Sequence, residues 1–120
     1  MYNIEIYEDK NGNSEVIDYF MQLQKSKSKE DRIKANKIRM YMRLLQEYGL
    51  ALKEPYIKNL SKNIWELRPL KDRFLFAYWT GNKFIILSHF TKNTQKTPRN
   101  EIEKAERLLR EFWERNDIYE

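Results

Sequence analysis

The chain has no cysteine, one histidine, three glycines and three prolines in 120 residues. Without thiols there is no disulfide and no thiolate metal site, which suits a reducing compartment. A single histidine, His89, cannot build a histidine-based metal cluster, and the carboxylates show no ligand spacing, so neither metal nor cofactor is expected. Gly12, Gly49 and Gly81 stand alone, which leaves no glycine-rich phosphate loop. No serine sits in a nucleophile elbow. No apolar run approaches the length of a membrane span, and the opening MYNIEIYED is broken by acidic residues too early for a signal peptide. These absences lead to the expectation of one cytoplasmic domain over residues 1–120 with no membrane partner.

What is present is charge and aromatic surface. Charged residues make up 34% of the chain and aromatics 14%, with a net charge of +5, a balance suited to a polyanionic partner. The charge is uneven. Residues 101–120 carry seven acidic and four basic side chains, a local net of −3, so the first hundred residues carry +8. An anion-binding surface therefore belongs on the body of the chain rather than on its last helix.

Hydrophobic periodicity predicts the order β-α-α-β-β-β-α. Tyr2 to Tyr7 alternates as a strand, and Asn13 or Ser14 can cap a helix to about Lys25. A second helix spans about Lys29 to Tyr48 and stops at Gly49, making a helical hairpin. Gly49 to Ser61 reads as a connector. Three strands follow, with Arg73 to Trp79 and Lys83 to Phe90 joined by a two-residue Gly81-Asn82 loop. Thr97 and Pro98 read as N-cap and first residue of a closing helix, whose apolar stripe is Ile102, Ala105, Leu108, Leu109, Phe112 and Trp113. The expected class is α+β: a small, mostly antiparallel sheet with an N-terminal helical hairpin and a C-terminal helix.

The segment from Ile64 to Pro98, with Arg99 directly after it, carries the chemistry. Arg68 and Arg73 flank a tight turn between two strands, where two guanidinium groups can bind one phosphate bidentately. A plainer alternative pairs Arg68 with Glu66 and Arg73 with Asp72. Lys92, Lys96 and Arg99 stand in the Thr-rich stretch HFTKNTQKTPRN, which ends at a helix N-terminus that favours anions. That stretch also fits a solvated loop. His89 can shuttle protons near neutral pH, or simply be satisfied at a strand end. Lys34, Lys37, Arg39 and Arg43 on the second helix are either a solvated face or contacts for RNA backbone.

The run ELRPLKDRFLFAYWTGNKFIILSHFTKNTQKTPRNEIEKAERLLREF resembles the RelE/ParE toxin superfamily, in its HigB-like, phage Gp49-related branch. Glu66 to Arg68, Arg73 with its aromatic strand, the Phe90 to Pro98 block and the Glu101 to Ala105 helix start carry the resemblance. It implies a RelE-like fold and a ribosome-dependent, metal-independent mRNA endoribonuclease, the toxin of a type II toxin–antitoxin pair. The implied partners are the ribosome, mRNA and a HigA-like helix-turn-helix antitoxin. Arg68, Arg73, Lys92 and Lys96 match the family's cationic positions, with Glu66 and His89 as candidates for proton transfer. Glu66 stands where some relatives carry a lysine. Lys34, Lys37, Arg39, Arg43 and Arg99 would hold RNA. Two other functions stay open: a ParE-like poison of DNA gyrase, and a catalytically silent nucleic-acid-binding domain.

Overall fold

A computed structural model describes residues 1–116; the acidic residues Asp117 and Glu120, counted above, lie outside the described residues. Strand β1 (Asn3–Ile6) is followed by helices α1 (Glu15–Lys25) and α2 (Lys29–Tyr48) and a 3-10 turn (Gly49–Leu52). Then come β2 (Ile57–Asn59), β3 (Trp65–Leu67), β4 (Asp72–Tyr78), β5 (Lys83–Thr91) and helix α3 (Arg99–Arg115). The strands form one five-stranded sheet in the order β1-β5-β4-β3-β2. β1 runs parallel to β5, and the other neighbours are antiparallel. The chain is α+β.

Local signals explain most of these boundaries. The Ser14 hydroxyl accepts from Ile17 N–H to start α1, and Ser28 accepts from Asp31 N–H to start α2. Gly49 ends α2 at φ +57, where a side chain is strained, and a Cβ there would come within 2.6 Å of the Tyr2 ring, which would have to move.

Three expectations are corrected. The Gly49 to Ser61 connector contains β2, which pairs with β3. With Lys58 and Asn59 both exposed, this three-residue edge strand shows no alternation to read. The β4–β5 loop has three residues rather than two, because Trp79 N–H donates to Lys83 O and leaves Thr80, Gly81 and Asn82 outside the ladder. Thr97 caps nothing: Pro98 is the N-cap of α3, and the Thr97 hydroxyl is engaged elsewhere.

The hairpin and α3 cover opposite faces of the sheet. Val16, Leu23, Ile38 and Leu45 pack on Leu67, Phe74, Phe76, Phe84 and Ile86. Ala105, Leu109 and Phe112 pack on Leu75, Ala77, Ile85 and Leu87. Phe74 to Ala77 are buried without interruption because both faces of β4 are covered. Among the described residues no helix is long and apolar enough to cross a membrane.

Tyr7 ties the end of β1 to α3 by donating to Glu111 at 2.6 Å. Burial, reinforced by that carboxylate, pushes the Tyr7 phenol up to about 12. The unfolded phenol ionises near 10. A pKa raised on folding gives stability that is complete below pH ~10 and lost as the pH rises toward ~12. Urea midpoints of the wild type and Tyr7→Phe should therefore converge over that interval. Parallel curves would remove the phenol–carboxylate bond from the account.

Candidate functional site

Strand register brings the candidate cations to one end of the α3 face. Glu66 pairs with Leu75 and Leu75 with Ser88, so these three share a face. Arg73, two residues before Leu75, and its partner Phe90 lie on that face as well. Leu67 pairs with Phe74, so the next step of the register sets Arg68 against Arg73. Lys92 follows Phe90 by two and is anchored by its N–H to Lys71 O at 2.7 Å. Gln95, Lys96 and Thr97, in the loop leading to α3, close the group around a recess of about 10 Å³, roughly the room of one water.

Glu66 is the hub. Its side chain is only 1% exposed. One carboxylate oxygen, Oε1, lies 3.4 Å from Arg68 Nε and 3.9 Å from Arg73 Nε. The other, Oε2, accepts from the Thr97 hydroxyl at 2.6 Å. That last bond fastens the cationic loop to the sheet.

The two arginines differ. Arg73 is 7% exposed and donates through one terminal nitrogen to Leu70 O at 2.8 Å and Asp72 O at 2.9 Å. Burial pushes its guanidinium pKa down, Glu66 opposes the shift, and the Arg68 charge adds to it. Arg68 is 20% exposed, and its buried Nε has no hydrogen-bond partner although Glu66 is within ion-pair range. It is the cation with the most unspent donor capacity facing the recess. Lys92 is half-buried and Lys96 exposed. With Arg68 and Arg73 they make four positive charges around one carboxylate, an arrangement suited to a phosphate and poor for a metal cation.

The alternative pairings divide. Arg68 does sit beside Glu66, but Arg73 takes only the carbonyl of Asp72. The Asp72 carboxylate faces the other side of the sheet, where Oδ1 accepts from the Tyr19 hydroxyl at 2.8 Å and meets His89 Nε2 at 2.9 Å. The Tyr19 and His89 rings stack at 3.8 Å between centroids.

His89, expected among the catalytic residues, therefore lies on the hairpin face, away from Arg68, Arg73 and Lys92. The cause is a bulge: Leu75 pairs with Ser88 but Phe76 with Ile86, so Leu87 is extra and the alternation of β5 shifts by one. Tyr19→Phe should cost about 1.5 kcal/mol in urea unfolding, the low end for a hydrogen bond to a charged group. An unchanged midpoint would show that the Tyr19–Asp72 bond contributes nothing.

The second-helix cations also divide. At about 100° per residue, Lys34 and Lys37 share a flank with Tyr41, while Arg39 and Arg43 project from the opposite flank. Tyr41 packs on Tyr56 at 5.3 Å, and Tyr56 O accepts the Arg68 N–H, which joins Tyr41, on the lysine flank, to the strand end that carries Arg68. Arg39 and Arg43 instead line a separate groove of about 690 Å³ between α1 and α2. Arg99 is 89% exposed and pairs with Glu103 at 3.4 Å on the first turn of α3. Phe90, Gln95 and Thr97 also line the recess; all three lie in the Phe90 to Pro98 block that carries the family resemblance, but none was expected as a site residue, because a polar loop residue and a strand aromatic look ordinary by themselves.

Residues 18–110 match the family model described as Phage derived protein Gp49-like (DUF891). The chain belongs to this Gp49-like family. It is a RelE/HigB-like toxin family, associated with RNase-like proteins of toxin–antitoxin systems. The matched span runs from α1 into α3 and includes every residue of the recess. No curated protein matches the chain.

Proposed function

We propose that this Gp49-like protein is the toxin of a type II toxin–antitoxin pair and cleaves mRNA on the ribosome without a metal. The observation that carries the reading is the recess of Arg68, Arg73, Lys92 and Lys96 assembled on buried Glu66. In the reaction a ribose 2′-OH attacks the adjacent phosphorus, the P–O5′ bond breaks, and a 2′,3′-cyclic phosphate and a 5′-OH result. Two negative charges develop on the phosphorane oxygens. Preorganised cations stabilise that charge more than the ground state.

Arg68 supplies the most available fork, Arg73 holds the turn beside it, and Lys92 adds charge from the strand end. Lys96, exposed at the loop, would protonate the departing 5′ oxygen or hold the substrate backbone. Glu66, with both oxygens engaged and almost no exposure, is a positioning residue rather than the base that takes the 2′ proton. The partner that neutralises the protein would be a HigA-like helix-turn-helix antitoxin, and the ribosome would present the mRNA.

Induction of the chain alone should arrest growth and create new 5′-OH ends in translated mRNA. Normal growth with confirmed folded protein would defeat the reading. Arrest with intact mRNA and inhibited gyrase supercoiling would replace it by a gyrase poison. Neutralising Lys34 and Lys37 should lower the salt slope of RNA association more than neutralising Arg39 and Arg43, by about 0.7 per lost phosphate contact. Equal slopes for the two pairs would place the RNA path elsewhere.

A further inference from the structure

The 690 Å³ groove between α1 and α2 is far larger than the cationic recess and lies on the other face of the sheet. Its floor is apolar: Phe20 and Leu23 from α1 meet Ile38 and Met42 from α2. Three arginines, Arg32, Arg39 and Arg43, stand on its α2 rim, all exposed. Among the described residues none of the three forms an ion pair; Arg39 donates only to the Asn36 side chain, at 2.6 Å. No acidic residue among those described lines the groove. Their spacing over eleven residues follows one flank of the helix for about three turns.

We propose that this groove is a docking site for an acidic amphipathic helix of a partner protein. The helix would lay leucine-like side chains on the Phe20–Leu23–Ile38–Met42 floor, and its carboxylates would pair with the arginine rim. Met42 gives the floor an unbranched, adaptable side chain suited to a helix ridge. An RNA strand is the poorer occupant. It would satisfy the arginines but leave the aliphatic floor without an apolar partner, and only Phe20 offers a ring for stacking. The inference needs nothing from the nuclease reading, since the groove and the recess share no residue.

The test uses the intact chain, isotopically labelled for amide NMR, and two synthetic 18-residue helical peptides. Both carry leucines at i, i+3, i+4 and i+7; one has glutamates on its flanks and the other lysines. The acidic peptide should shift amides around Leu23 and Met42 and weaken as salt rises. The lysine peptide should bind at least tenfold less tightly. The double charge reversal Arg39→Glu/Arg43→Glu should cost the acidic peptide at least tenfold; both arginines are exposed, and the NMR spectrum itself checks that the fold is kept. Absence of binding, or equal affinity for the two peptides, would overturn the proposal. So would displacement of the acidic peptide by a single-stranded RNA 12-mer, which would make the groove a nucleic-acid channel. Self-association of the chain abolished by the same double variant would make a second copy the occupant and likewise overturn it. A cleavage assay run alongside reports on the recess separately, so either reading can fail alone.

Discussion

Arg68→Ala should lower mRNA cleavage a hundred- to thousand-fold, about 3–4 kcal/mol, while the protein stays folded. The side chain is 20% exposed, its Nε has no hydrogen-bond partner, and its ion-pair contacts are to Glu66 at 3.4 Å and to exposed Glu54 at 4.0 Å. Glu66 keeps Arg73 and Thr97 as partners when Arg68 is lost, so the stability cost should stay well below the ~3 kcal/mol of breaking a buried pair outright. The two quantities therefore separate: a near-normal urea midpoint with cleavage almost gone. A stable Arg68→Ala protein that cleaves at the wild-type rate would remove Arg68 from the chemistry.

Arg73→Ala is a poorer probe than its sequence position suggests. Truncation would orphan Leu70 O and Asp72 O and leave Glu66 short of a counter-charge, so stability and activity would fall together. Arg73→Lys keeps the charge but not the fork, and its residual cleavage reports how much of the role is geometry.

Glu66→Ala should destabilise the protein by about 3 kcal/mol, the lower end for breaking a buried ion pair, because Arg73 keeps two carbonyl acceptors. Cleavage should fall as well, through two effects: Arg68 and Arg73 lose the carboxylate that sets their spacing, and Thr97 releases the loop bearing Lys96. Glu66→Gln can still accept from Thr97, so it should recover loop order and part of the activity while remaining less stable than the wild type. If Glu66→Ala matched wild-type stability, the carboxylate would not be the organising group. If Glu66→Gln lost cleavage completely at full stability, the carboxylate charge would act in the reaction itself.

Periodicity and local chemistry determined the α+β class, the helical hairpin, the start of α1 at Asn13 or Ser14 and the Gly49 stop, because those signals lie within a few residues of one another. The grouping of Arg68 and Arg73 was legible too, since a tight turn between two strands sets its flanking residues side by side. The family resemblance rested on the same segment, and the Gly49 to Ser61 stretch hid β2 because an exposed three-residue edge strand has no pattern to show.

Only the tertiary structure decided which cations meet. Strict alternation along β5 from Ile85 would have sent His89 to the α3 face and Phe90 and Lys92 away from it. The extra residue at Leu87 reverses that choice, exporting His89 to Tyr19 and Asp72 and importing Lys92 to Arg68 and Arg73. Burial of Glu66 was equally unreadable, because a carboxylate on a strand looks solvated until two arginines and a threonine from separate segments enclose it. Sequence fixes which side chains exist and where the chain turns; a one-residue slip between paired strands, set by packing on both faces, fixes which of them share a site.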